Sequence, residues 1–138
     1  MFDVENCKDS EISMHEIRNG ISILSVSKSE RFEKINDSFV FFRGWFQDHD
    51  TKSIILGQKG FCQWLEDNPK SDFTKEYEGC YFATTISNGE IRISNDIFSY
   101  LPVIYFSNDE LMVCSDSMYL ISHVRKFLKL PCELNKSV

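Results

Sequence analysis

Apolar and polar positions alternate most clearly between Tyr77 and Val124, where four strand-like runs follow one another with turn residues between them. Tyr81 to Ile86 leads into Ser87-Asn88-Gly89. Asn-Gly accepts positive φ at both turn positions and predicts a two-residue hairpin. Ile91 to Ser94 returns and stops at Asn95-Asp96. Val103 to Phe106, a polar turn at 107–110 and Leu111 to Cys114 predict a second hairpin. A helix follows, with Ser115 or Asp116 as its N-cap and Met118, Ile121, Val124 and Leu128 on one face. Arg125, Lys126 and Lys129 gather at its end, where cations suit the dipole, and Pro131 stops it.

The first half is less regular. Met14 and Ile17 suggest one turn of helix, stopped by Asn19-Gly20, and residues 1–20 are expected to carry little order. Ile21 to Val26 reads as a weak strand, and Lys28 to Asp37 as a charged loop. Phe39 to Phe46 is a strongly apolar strand. Gly44 inside it predicts a bulge or the close approach of another backbone. Asp48 to Lys52 is a polar turn, and Ile54 to Leu56 fits strand or helix. Phe61, Trp64 and Leu65 share a helical face that ends at Asn68-Pro69. Residues 71–78 suggest a further helical turn.

Composition narrows the class. The 138 residues suit one domain, read as 21–130, with 131–138 as a tail or linker to a following domain. No apolar run approaches the roughly 20 residues of a membrane span, so no membrane partner is expected. The acidic N-terminus lacks the features of a signal peptide. Cys7, Cys62, Cys80, Cys114 and Cys132 are scattered and form no Cys-x-x-Cys pair, which points to reduced thiols in a cytoplasmic protein. His15, His49 and His123 lie too far apart in sequence to make a local metal motif. The formal net charge of −6 and the single basic cluster near the end argue against a nucleic-acid partner. The many phenylalanines read as core.

The run Glu78-Gly79-Cys80-Tyr81-Phe82-Ala83, then Ile93-Ser94-Asn95-Asp96, Leu101-Pro102-Val103-Ile104-Tyr105-Phe106 and Cys114-Ser115-Asp116, resembles the latter half of the class II glutamine amidotransferase domain. That domain forms the N-terminal part of asparagine synthetases. Phe82-Ala83, Asp96, Pro102, Tyr105 and Ser115 match its motifs in register, and the likeness spans roughly residues 38 to 124. The resemblance implies an α+β fold: a reduced N-terminal-nucleophile hydrolase-like sandwich of two antiparallel sheets with flanking helices. It also implies a purpose in relatives, whose domain hydrolyses glutamine and passes ammonia to an adenylating synthetase domain.

The resemblance further implies a nucleophilic cysteine at position one, freed by methionine removal. This chain opens Met1-Phe2. Cys7 is the only nearby thiol, and cleavage after Asn6 would be needed to expose it. The charged run after Cys7 does not suit the buried strand that such a cysteine opens. Arg43 stands before Gly44 at the oxyanion-hole position, where the family carries Asn-Gly. A long cationic side chain does not reproduce a fixed short amide. Asn95 and Asp96 read as turn formers, and Gly79, Pro102, Tyr105 and Phe106 as scaffold. The expectation is a non-catalytic amidotransferase-like module that needs no cofactor or metal. Its partner would be a C-terminal synthetase domain. The alternatives are an active glutaminase processed at Cys7, and a free-standing interaction module, for instance a homodimer joined at sheet edges.

Overall fold

The computed structural model describes residues 13–17, 20–25, 32–71, 73 and 75–130. The fold is mixed α+β, with antiparallel sheets and two helices. The described residues fall into two compact units, one ending at Leu101 and the other beginning at Pro102.

In the first unit, β1 (Ser13–Ile17) and β2 (Ile21–Ser25) make an antiparallel pair. The helical turn expected at Met14 and Ile17 is therefore a strand. The segment is too short to settle its own period, and pairing with β2 decides it. Residues 1–12, Cys7 among them, lie outside the described residues. A five-stranded sheet follows: β3 (Glu33–Ile35), β4 (Ser38–Gln47), β5 (Ile54–Leu56), β6 (Gly79–Ser87) and β7 (Glu90–Asn95). Its order is β3-β4-β6-β7, and β5 pairs with the far end of β4. The loop expected over 28–37 thus contains a strand, β3, whose partner lies immediately after it on β4.

The strand β4 is long because its apolar residues are mostly aromatic, and such residues suit a pleated surface. Alternation sends Val40, Phe42 and Phe46 to one face, where α1 (Gly57–Asp67) contributes Phe61 and Trp64. Phe42 stacks on Phe61 with ring centroids 4.6 Å apart, and Phe46 meets Trp64 edge-on at 5.2 Å. None of the described residues between 71 and 78 is helical. Phe73 and Tyr77 instead bury their rings in the same cluster, stacked at 4.8 Å. Burial of aromatic area overrode the weak local helix preference. The opposite face of the sheet also carries buried side chains, Phe41, Phe82, Thr84 and Ile86.

The Asn88-Gly89 turn has φ of 51° and 77°, and β6 and β7 pair from Ser87–Glu90 onward. This is the positive-φ hairpin geometry that the dipeptide dictates.

The second unit contains β8 (Ile104–Ser107), β9 (Met112–Ser115) and α2 (Met118–Phe127). The Asn108 side-chain oxygen accepts from the backbone N–H of Glu110 and Leu111, closing the hairpin. Ser117 is the N-cap of α2: its Oγ accepts from Leu120 N–H. Ser115 and Asp116 precede it. Ile121 and Val124 are buried, whereas Met118 lies 63% exposed. Tyr105, read as scaffold, is 69% exposed, because alternation along β8 points it away from the face of Ile104 and Phe106. Phe106 carries the Arg125 guanidinium 4.9 Å above its ring.

Candidate functional site

The Arg43-Gly44 step lies inside β4. Gly44 has φ +101°, and a Cβ there would stand 2.0 Å from the Cys80 carbonyl oxygen. Across the pair, a Cβ on Gly79 would stand 2.2 Å from the Trp45 carbonyl oxygen. The two glycines flank the Trp45–Cys80 pair and let β4 and β6 approach more closely than side chains allow. This is the close backbone approach that a glycine within an apolar strand predicts. No bulge interrupts the register here.

Arg43 points away from the α1 face, as its position between Phe42 and Gly44 requires. It is half-buried, with its guanidinium 5.9 Å from the Phe41 ring. Across the sheet its register partners are Phe82 on β6 and then Asn95 on β7. One row of the sheet therefore brings together two of the residues marked in the sequence, Arg43 and Asn95.

Asp96 is 2% exposed and fully committed. Its Oδ1 accepts from Phe98 N–H at 3.0 Å and Tyr100 N–H at 3.3 Å, and its Oδ2 accepts from Tyr81 N–H at 3.3 Å. Its own N–H donates to the Tyr81 carbonyl at 3.1 Å. Asn95 Nδ2 donates to Ser99 Oγ at 2.9 Å. Together they tie the 97–100 loop to the start of β6. Ile97, Phe98 and Tyr100 stand exposed on that loop. A buried carboxylate that accepts three backbone N–H bonds is a turn brace, with little capacity left for a ligand.

Two polar side chains matter more than the sequence reading suggested. Asp48 was visible only as part of a polar turn. Its Oδ1 accepts from Thr51 N–H, Asp50 N–H and Thr51 Oγ1, and its Oδ2 accepts from Trp64 Nε1 at 2.5 Å. The Thr51 backbone bond and the Trp64 indole, partly opposed by burial, hold its carboxyl down at about 2. Such a group is an anion throughout the physiological range and a poor base. The second is Gln58, in the first turn of α1. Its Oε1 accepts from Phe42 N–H at 2.5 Å, and its Nε2 donates to the Val40 carbonyl at 3.0 Å. On that edge of β4, β3 pairs as far as Val40 and β5 takes over at Trp45. The Gln58 amide stands in for a strand across part of the gap. Nothing local in the sequence marks this role.

Two of the described thiols, Cys62 and Cys114, are not poised as nucleophiles. Burial pushes the Cys62 thiol up to about 12, reinforced by a hydrogen bond to Glu33 and by the charges of Glu33 and Glu66. Burial also raises Cys114. A reactive cysteine needs the opposite shift. His49 Nε2 lies 2.9 Å from the Glu76 carbonyl oxygen, and its ring packs edge-on against Tyr77. His123 packs against Tyr119, and His15 lies opposite Ile23 in the first hairpin. Among the described residues, no group of three or more His, Cys, Asp or Glu side chains could hold a metal ion. No described helix is long and apolar enough to cross a membrane. No protein-family model, curated protein or solved structure matches the chain.

Proposed function

We propose that this chain is a non-catalytic glutamine-amidotransferase-like domain of an asparagine-synthetase-related protein, built on a reduced N-terminal-nucleophile hydrolase-like sandwich. In this reading it serves as a structural or regulatory module for a synthetase domain. Three features support the fold part. The chain runs through hairpin, Asp-braced turn, hairpin and helix in the order of the resemblance. Gly44 and Gly79 occupy the positions that the resemblance assigns to glycine. Buried side chains on both faces suit a sheet that is one layer of a sandwich.

The observation that carries the functional part is the Arg43-Gly44 step. The glycine contact with β6 is kept, while the donor beside it is a guanidinium held near the Phe41 ring. An oxyanion hole needs a short donor aimed at one point, and losing one such donor costs about 10²- to 10³-fold in rate. The raised Cys62 and Cys114 thiols favour the same conclusion.

The test is direct. The purified chain is incubated with glutamine and glutamate release is measured. No turnover above buffer is expected. Glutamine hydrolysis that disappears in Cys7→Ala would overturn the reading.

A further inference from the structure

Strand β7 ends the sheet order, and no described strand pairs beyond it. Ile91 is 49% exposed, and the side chains of Glu90 and Arg92 are 62% and 45% exposed. The hairpin geometry fixes which backbone groups face outward. Ser87 and Glu90 close the two-residue turn, so they form a hydrogen-bonded pair, and the pairs then alternate. The Asp96 N–H bond to the Tyr81 carbonyl keeps that alternation at the far end. Glu90, Arg92 and Ser94 therefore direct their N–H and C=O groups toward β6. Ile91, Ile93 and Asn95 direct theirs outward.

We propose that this edge is a self-pairing surface whose partner is a second copy of the chain, joined antiparallel about a two-fold axis through Ile91. The charge pattern selects that register. With Ile91 opposite Ile91 of the second copy, the two residues exchange main-chain N–H···O bonds through groups that already face outward. Glu90 then lies opposite Arg92 of the second copy, and Arg92 opposite its Glu90. Within one chain Glu90 and Arg92 already share a 3.1 Å ion pair. Across the axis they become a four-charge cluster of alternating sign, and the exposed Ile91 side chains meet on the other face. Neighbouring registers are worse. Centred on Arg92, guanidinium meets guanidinium. Centred on Ile93, Arg92 faces Ser94 of the second copy and the cross-copy ion pairs are lost. Edge charges that repel wrong partners while fitting one register are how an open edge is kept from indiscriminate pairing. Association through so short a strand is weak and concentration-dependent. The inference does not depend on the proposed function.

Sedimentation equilibrium on the full chain at low salt, up to about 1 mM protein, tests it. The wild type shows a monomer–dimer equilibrium. Glu90→Arg alone gives an all-basic edge and Arg92→Glu alone an all-acidic one, and each weakens self-association about tenfold. Both side chains are exposed, so circular dichroism of each variant matches the wild type. Mixing the two single variants restores a dimer containing one of each. Loss of the intrachain ion pair cannot produce that recovery. A wild type that stays monomeric, single variants that dimerise like the wild type, or a mixture that does not recover each overturns the proposal.

Discussion

Removing the Gln58 amide without changing the shape of the side chain tests how far β4 depends on it. Gln58→Met keeps length and helix preference but offers neither donor nor acceptor to the backbone. It leaves the Phe42 N–H and the Val40 C=O unpaired beside a core in which Val40 and Phe42 are each 2% exposed. An unsatisfied buried backbone group costs about 1–3 kcal/mol. Gln58 is only part-buried, so some water reaches the gap, and the lower half of that range applies to each group. The expected loss is about 2–4 kcal/mol. Urea unfolding followed by tryptophan fluorescence measures it, with an unchanged m-value showing that the unfolded state is the same. Amide exchange at Phe42 should quicken beyond what the global loss explains. A change below about 0.5 kcal/mol, within the range of ordinary surface substitutions, would refute the idea that a side chain completes this sheet.

Three further outcomes follow from the geometry. Asp48 has a folded-state pKa below its unfolded value, so its contribution is present above pH 3.8 and is lost as pH falls through about 2. The shift alone would give roughly 2.4 kcal/mol at about 1.36 kcal/mol per unit, and because its turn bonds are only part-buried this is reduced to about 1–2. Asp48→Asn should lose that amount at pH 7 and converge on the wild type near pH 2, read from denaturation midpoints across pH. Gly44→Ala places a methyl 2.0 Å from the Cys80 carbonyl, and a loss above about 3 kcal/mol or failure to fold is expected by circular dichroism. Cys62, with its thiol at about 12, should resist a disulfide reagent at pH 8 until the chain unfolds; rapid labelling of the native protein at that position would contradict its burial.

Where signals were local, the sequence was readable. Asn88-Gly89 sets its own backbone angles, so the β6–β7 hairpin could be placed to within a residue or two. Phe61 and Trp64 recur at helical spacing and are buried in α1 as expected. The carboxyl of Asp96 lies where a turn former should be. Signals that depend on distant partners were not readable. Met14 and Ile17 fit either period until β2 supplies a partner. Phe73 and Tyr77 sit in a polar stretch, and only the cluster around Phe46 explains their burial. At the candidate site, Arg43 and Gly44 were marked in advance. The Gln58 bridge and the Asp48–Trp64 bond were not, because each joins segments well separated in the chain.

The position of α1 also bears on how the chain folds. Phe46 must meet Gly79 across the whole of β5, α1 and the 71–78 segment, whereas β5 reaches β4 over a short turn. Closing a long loop costs more entropy than closing a short one, so early structure should gather around β4, β5 and α1. At that stage β4 has not yet found β6, and its aromatic row has a bare flank. A nascent chain paused before Gly79 would be at its stickiest, and the arrival of β6 is the step that makes it safe.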